Sequence, residues 1–151
     1  MASISVSGIA CAALISVSAA SPTTAEPAPG ATVDVAVSGL RSATGLLQAC
    51  LTTRPDAFPG CSKDPAAIRL RVPAEKPHLR FTGIAPGLYA IAIVHDENGN
   101  GKVDMALFLP REGVGASLNP PVRMGPPTFR SAAFKVGESN VSLSVTMKYI
   151  L

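Results

Sequence analysis

The chain has 151 residues, 47% of them hydrophobic, and a formal net charge of +3, which together favour one domain with a proper hydrophobic core. Fourteen prolines and thirteen glycines argue against a helical bundle and favour short strands joined by turns. The small positive charge, without interleaved aromatic residues or a helix to enter a groove, argues against nucleic acid as a partner.

The first twenty residues, Met1 to Ala20, are apolar or small and carry no charge. This pattern predicts a secretory signal peptide that is cleaved after Ala20 or after Ala25, although the basic residues that usually begin such a peptide are missing. The apolar stretch is short and interrupted by Ser and Gly, which argues against a membrane-spanning anchor. We therefore expect an exported protein, located in the periplasm or outside the cell.

A lipoprotein anchor at Cys11 is a less favoured alternative, because Gly8 stands where such signals usually have Leu. Residues 21–30 are rich in Pro, Ala and Thr, and we expect them to form a disordered lead-in. The rest of the chain, residues 31–151, is expected to fold as a single domain.

Several segments alternate apolar and polar residues, a pattern that predicts half-buried β-strands. Clusters of Pro and Gly between these segments mark the turns. Arginines at outward positions are expected to form a solvated face that discourages edge pairing. The apolar positions expected to face the core are Val33, Val35, Val37, Leu47, Ala49, Leu51, Ile68, Leu70, Val72, Leu79, Phe81, Ala132, Phe134, Val136, Val141, Leu143, Val145, Met147 and Tyr149.

The segment Leu88–Val94 is different, because it is apolar without interruption. It is too short for a typical helix, it follows the turn residues Pro86 and Gly87, and it ends in a polar cluster. We therefore predict a central strand with both faces covered. Together, about seven strands and no convincing helix predict an all-β fold, an antiparallel β-sandwich of the prealbumin-like or immunoglobulin-like type.

A loop, residues 52–65, contains several prolines; Cys50 precedes it and Cys61 lies within it. In an exported protein, two cysteines at this spacing predict a disulfide that closes a short loop, worth about 3 kcal/mol by chain entropy. The alternative, a metal-binding or nucleophilic pair, needs further ligands or a base. Neither His78 nor His95 has a spacing that links it to the cysteines.

The polar loop after the central strand follows the first half of the EF-hand calcium pattern D-x-[DN]-x-[DN]-G. Gly101 takes the sharp turn, whereas Leu107 stands where a bidentate carboxylate is usual. Ca²⁺ binding is therefore expected to be weak, in the range of roughly 0.1–1 mM. The alternative is a turn whose Asn and Asp side chains bond their own backbone. The candidate ligands are Asp96, Asn98, Asn100, the carbonyl of Lys102 and Asp104.

A long connector, Met105 to Arg130, follows this loop and is rich in Pro and Gly. Connectors of this length inside a compact domain usually serve a function or pack as a compact excursion. Its apolar residues predict that it folds over one end of the sheet, either as a recognition surface or as a simple lid over the core. The candidate ligand-surface residues are Pro110, Arg111, Glu112, Asn119 and Arg123.

Four motifs stand in this order along the chain: VSGLRSATGLLQACL, FTGIAPGLYAIAIVHDENGNGKVD, PREGVG and GPPTFRSAAF. Together with Cys50 and Cys61 they resemble the bacterial exported family known as domain of unknown function 2141, over Val33 to Leu151. The element GIAPGLYAIAI also resembles the turn and strand of prealbumin-like, or Cna-B-like, modules found in adhesin stalks and carboxypeptidase accessory domains. The resemblance implies an exported β-sandwich and carries no catalytic residues onto this chain.

No nucleophile, base and acid can be brought together from the spacing, and no glycine-rich phosphate loop precedes a helix, so we expect no enzymatic activity. We expect a binding or adhesion-type module of the cell envelope that recognises an unknown protein, glycan or small ligand through the connector. The alternative is a structural accessory domain with no ligand of its own. A hydrolase is the least favoured interpretation.

Overall fold

The computed structural model describes residues 30–103, 105–106, 109–121 and 125–151. The predicted signal peptide and nearly all of the lead-in lie outside the described residues. The described part of the chain contains ten strands and one short helix. They are β1 (Ala31–Ser38), β2 (Leu46–Thr52), β3 (Ile68–Pro73), β4 (His78–Ile84), β5 (Gly87–Asp96), β6 (Met105–Ala106), β7 (Leu109–Pro110), β8 (Gly113–Ala116), α1 (Phe129–Ala132), β9 (Phe134–Val136) and β10 (Val141–Thr146).

Two sheets form the body of the protein. The small sheet has the strand order β10-β1-β4. The large sheet has the order β3-β2-β5-β8, and β9 also pairs with the first residues of β5. A separate two-stranded pair is formed by β6 and β7. The predicted all-β sandwich is confirmed, with eight strands in its two sheets rather than about seven.

One strand pair departs from the predicted antiparallel arrangement. The first and last strands, β1 and β10, run parallel, with Val33 opposite Val141 and Ser38 opposite Thr146. The other strand pairs of the described residues are antiparallel. Parallel strands need a long crossover, and here every strand of the large sheet lies between them in the sequence. Alternation reports which side chains are buried but not strand direction, so the sequence pattern did not reveal this pairing.

The core lies between the two sheets and is aliphatic, as the composition predicts. Five further predicted positions are partly buried and pack against its edge: Leu70, Val72, Val141, Leu143 and Tyr149. The predicted inward side chains that are fully packed in this core are Val33, Val35, Val37, Leu47, Ala49, Leu51, Leu79, Phe81, Phe134, Val136, Val145 and Met147. The alternation of these segments is therefore confirmed.

Two positions predicted to be covered are exposed. Ile68 is 40% exposed, because it begins β3, the edge strand of the large sheet. Leu88 is 53% exposed and lies at the start of β5, where its partner is the short strand β9. The prediction of a central strand is otherwise confirmed, because β5 lies between β2 and β8 in the large sheet.

The connector is not one continuous loop, because it contributes β8 to the large sheet beside β5. The sequence of this strand, GVGA, does not predict a strand, because glycine is depleted in strands. The glycines are needed where the C-terminal segment packs closely. A Cβ at Gly113 would lie 2.6 Å from ring carbons of Tyr149, and one at Gly115 would lie 2.8 Å from the Sδ of Met147.

The connector ends in α1, a single turn that the sequence did not indicate. Thr128 caps it by accepting a hydrogen bond from the backbone N–H of Ser131 at 3.3 Å. Ala132, predicted as a strand position, is the buried last residue of this turn. Among the described residues, no helix has the length and apolar character that crossing a membrane requires.

Candidate functional site

The polar loop begins at the end of β5, where Asp96 is fully buried. Its Oδ2 accepts hydrogen bonds from Nε2 of Gln48 at 2.5 Å and from the backbone N–H of Gly101 at 2.8 Å. Its Oδ1 accepts from the backbone N–H of Asn100 at 3.1 Å. All three donors belong to the protein, so this buried carboxylate is satisfied by the fold itself.

The two asparagines of the loop also bond the backbone two residues further on. The Oδ1 of Asn98 accepts from the N–H of Asn100 at 3.0 Å, and the Oδ1 of Asn100 accepts from the N–H of Lys102 at 2.8 Å. Gly101 takes a positive φ of 77°. These bonds are the ones expected from the alternative interpretation, in which the side chains of the turn bond the backbone of the same turn and bind no ion. We call this a self-bonded turn. Asp104 lies outside the described residues, and calcium binding stays a prediction.

His95 precedes Asp96, points to the opposite face of β5 and is fully buried. Its Nε2 lies 2.8 Å from the carbonyl oxygen of Thr44, which can only accept, so Nε2 carries a proton. In the neutral ring, Nδ1 then accepts from the hydroxyl of Tyr149 at 2.6 Å. The same hydroxyl oxygen accepts from the N–H of Arg41 at 3.2 Å. Burial raises the pKa of Tyr149, which keeps its hydroxyl protonated.

No pattern in the sequence predicts a role for Arg41. Its side chain nevertheless connects the turn after β1 to the end of β5. Its guanidinium carbon lies 4.5 Å from the centroid of the Tyr149 ring. It donates to Oε2 of Glu97 from Nε at 2.9 Å and from Nη2 at 2.5 Å. Further bonds run to the carbonyls of Arg111 and Leu151. The hydrogen bond from Arg41 holds the pKa of Glu97 below its ordinary value.

A polar opening of about 220 Å³ lies beside Arg41. Among the described residues, two arginines and two glutamates line it, so the described lining carries balanced positive and negative charge. Its lining residues are Arg41, Glu97, Asn98, Arg111 and Glu112.

A larger cavity of about 540 Å³ lies against the outer face of the large sheet, away from the core. Its floor consists of the small side chains of Ala92, Val94, Val114 and Ala116. Ala92 lies opposite Ala116, and Val94 lies opposite Val114, so all four point to the same face of the sheet. We call this cavity the apolar cleft.

Prolines form much of the wall of the apolar cleft. Because proline has a fixed φ and no backbone N–H, these walls are stiff and poor in hydrogen-bond donors. The wall prolines are Pro59, Pro110, Pro120, Pro121, Pro126 and Pro127. Among the described lining residues, the polar side chains are Asn119, Thr146 and Lys148.

The predicted disulfide between Cys50 and Cys61 is present, with Cα atoms 6.5 Å apart. Cys50 lies on the outer face of β2, next to the cleft floor, so the bond fastens the following loop to this face. Buried Asp64 supports the same loop. It accepts from the hydroxyl of Thr52 at 2.5 Å and from the N–H of Ala66 at 3.0 Å, and these bonds lower its pKa.

Asn119 fastens the connector to the end of the small sheet. Its Nδ2 donates to the carbonyl of Ser144 at 2.8 Å, and its Oδ1 accepts from the N–H of Thr146 at 2.7 Å. It takes a positive φ of 49°, which Asn tolerates better than most residues. Asn119, a predicted ligand-surface residue, lines the cleft, and its amide holds this part of the connector in place.

A family model described as an uncharacterised protein conserved in bacteria, DUF2141, matches residues 35–144. The chain belongs to the DUF2141 family. Neither a curated protein nor a solved structure matches it. The family resemblance of the motifs is thereby confirmed, and the likeness to prealbumin-like modules stays a prediction.

In this DUF2141 chain the predicted ligand surface is divided between two cavities. Pro110 and Asn119 line the apolar cleft, whereas Arg111 and Glu112 line the polar opening. Arg123 lies outside the described residues. Among the described residues the two cavities share no lining residue, and the recognition surface stays a prediction. The signal that would have indicated the cleft is the run of small outward residues in β5 and β8 beside a proline-rich connector.

Proposed function

We propose that this chain is an exported, non-catalytic binding module of the bacterial cell envelope, whose ligand is a small apolar molecule held in the apolar cleft. The observation that carries the proposal is the cleft itself, with a volume of about 540 Å³. Small-molecule sites are typically concave, mainly apolar cavities of about 300–1,000 Å³ with few polar groups. The cleft has the size and the lining of such a site.

The anchoring of the walls supports a site that exists before the ligand arrives. Asn119 bonds the connector to Ser144 and Thr146. The Cys50–Cys61 disulfide holds the loop that carries Pro59. A cleft whose walls are already ordered avoids part of the entropy cost of ordering them on binding.

Two further parts of the proposal have separate support. Export is supported by the disulfide, because disulfides persist in oxidising compartments, and by the uncharged apolar segment Met1 to Ala20. A non-catalytic role is supported by the described cleft lining, whose polar side chains, Asn119, Thr146 and Lys148, include no carboxylate or imidazole to act as a general base at neutral pH.

Titration with N-phenyl-1-naphthylamine, a neutral dye that fluoresces more strongly in apolar surroundings, tests the proposal. Val114→Phe adds a ring to the cleft floor and should weaken dye binding by about tenfold, a loss of about 1.4 kcal/mol. Ile68→Phe adds the same ring at an exposed position of β3 outside the cleft lining. This control should bind the dye as the wild type does.

The competing interpretation is a structural accessory domain with no ligand of its own. It predicts no saturable dye binding by the wild type, and that result would overturn the proposal. Equal dye binding by the wild type and Val114→Phe would show that the dye binds outside the apolar cleft, and this result would also overturn the proposal. Thermal melts of both variants show whether the fold is retained. Deleting residues 110–121 is a poorer test, because the deletion removes β8 from the large sheet.

We also propose Ca²⁺ as a weak ligand of the polar loop. The support is the position of Asp96, Asn98 and Asn100 at alternate places in the loop, with Asp96 buried at its start. Calorimetry should give a dissociation constant of roughly 0.1–1 mM, and Asn98→Ala should weaken it. No heat and no thermal shift at millimolar calcium would leave only the self-bonded turn.

A further inference from the structure

Lys148 is held beside the apolar cleft by its backbone. Its N–H and its carbonyl oxygen both bond the backbone of Val114 at 2.9 Å, which forms an isolated antiparallel bridge. Directly opposed residues in such a bridge point to the same face, and Val114 belongs to the cleft floor. The side chain of Lys148 therefore lies along the cleft, where it is half-buried.

The ammonium of Lys148 donates to the carbonyl oxygen of Pro120 at 3.2 Å. An ammonium group has three donors, so this bond uses one of them. Within the described residues, no carboxylate lies at ion-pair distance from Lys148, and no acidic side chain lines the cleft. Among the residues that the structure describes, Lys148 is thus the one cation in the lining of this mainly apolar space.

A half-buried cation beside apolar surface interacts more strongly with an anion than a cation in open water does. The other described polar side chains of the lining are neutral and already have partners; the Thr146 hydroxyl lies 3.3 Å from the hydroxyl of Ser38. The amide of Asn119 is bonded to Ser144 and Thr146, and the wall prolines have no N–H to donate. A ligand with one negative charge would therefore find its partner at Lys148.

We propose that the ligand of the cleft is a small free amphiphile with an apolar tail and one anionic head group, such as a carboxylate, and that Lys148 pairs with the head group. This inference rests on the proposed binding function. The small side chains of the floor contact the tail, while the ammonium determines the orientation of the molecule and the preference for an anion.

Competition against N-phenyl-1-naphthylamine tests this inference on the full chain, with octanoate and 1-octanol as probes that have the same number of carbon atoms. Lys148→Met keeps the length of the side chain but removes its charge. The ratio of octanoate affinity to octanol affinity should fall about tenfold in this variant, since the charged hydrogen bond to the carboxylate is lost. Lys148→Arg should retain the ratio of the wild type.

Lys135→Met is the matched control, because Lys135 is an exposed lysine of β9 outside the cleft lining. An octanoate-to-octanol ratio that is the same in Lys148→Met as in the wild type would overturn the inference and leave the binding function intact. If neither the dye nor either probe binds the wild type, the proposed function itself fails. If Lys148→Met does not fold, Lys148→Gln replaces it, because glutamine is polar but neutral; the same fall in the octanoate-to-octanol ratio is expected.

Vesicles distinguish a free amphiphile from a lipid head group in a membrane, because both could present the same anion. Sedimentation with phosphatidylglycerol vesicles, and with phosphatidylcholine vesicles as the uncharged control, is the second arm of the experiment. We expect competition by octanoate and no sedimentation with either vesicle. Sedimentation with the anionic vesicles, without competition by free octanoate, would overturn the assignment of a free ligand.

Discussion

The two faces of the large sheet differ most clearly along β5. Toward the core, Ile91, Ile93 and His95 are at most 1% exposed; the two isoleucines belong to the hydrophobic core, and His95 bonds Tyr149 and Thr44. Toward the outside, Ala92 and Val94 form part of the floor of the apolar cleft. Branched side chains packed against a second sheet leave no space, whereas small side chains beneath stiff proline walls leave a cavity. One strand thus serves stability on one face and the proposed binding on the other.

The largest expected difference between the two faces is the effect of truncation on stability. Ile91→Ala should lower the free energy of unfolding by about 2–5 kcal/mol, because it leaves a cavity in the closed core. Val94→Ala should cost less than about 1 kcal/mol, since its side chain already borders open space. Urea denaturation measures both.

Val35→Ala is the size-matched control, because it removes the same two methyl groups as Val94→Ala from a fully buried position in β1. We expect Val35→Ala to be clearly more destabilising than Val94→Ala. Equal losses at the two valines would contradict the distinction between a closed inner face and an open outer face.

The second comparison concerns the outer face alone and uses the disulfide. Replacing both Cys50 and Cys61 by Ala should lower the free energy of unfolding by about 3 kcal/mol, because the loop of the unfolded chain is no longer closed. The loop carries Pro59 into the cleft wall, so dye affinity should fall as well. A large loss of stability with unchanged dye binding would show that the loop is not needed for the wall.

The third comparison concerns His95, the buried core-facing residue near the end of β5. Tyr149→Phe removes the hydroxyl that donates to the buried Nδ1 of His95, and we expect a loss of about 1–3 kcal/mol in thermal or urea unfolding. Tyr89→Phe is the matched control. Its hydroxyl donates to the carbonyl of Ala85 at a more exposed position, so its removal should change stability by less than about 0.5 kcal/mol. A larger loss at Tyr89 than at Tyr149 would contradict the proposed network.

The smallest expected effect is a dependence on pH from the loop that borders the cleft. The hydrogen bond from Thr52 holds the pKa of Asp64 below its ordinary value. Its contribution to stability is therefore present above about pH 3.9, the ordinary value, and is lost as the pH falls through the lower pKa of the folded state. Asp64→Asn should be less stable at neutral pH and should lose less stability as the pH falls below about 4. Parallel acid profiles for the two proteins would exclude this role of Asp64.

The sequence predicted the core-facing side chains of the sheets well and the features of the outer face poorly. The alternation in Val33, Val35 and Val37 identified the core face of β1, because side chains in a strand alternate with a period of two residues. It failed at Ile68, which begins the edge strand β3 and is exposed, although Leu70 and Val72 of the same strand pack against the core. It also missed β8, because Gly113 and Gly115 look like turn residues unless the nearby C-terminal segment is known.

The candidate sites also fall into two groups, those that local spacing in the sequence predicted and those that depend on distant strand pairing. Asp96 and Asn100 were found from local spacing, and their turn depends on bonds within a few residues. The apolar cleft and Lys148 were not found, because they depend on the strand register of β5 with β8 and on the bridge between Val114 and Lys148. Neither pairing has a local signal in the chain.

By itself, the amino-acid order determined the family, the all-β class, the alternation of most core strands and the cysteine pair, because each of these is encoded by residue type or short-range periodicity. The tertiary structure alone decided the parallel pairing of β1 with β10, the strand hidden in the connector and the cavity on the outer face. These features arise where distant segments meet, and the space left between them depends on the sizes of side chains that are far apart in the sequence.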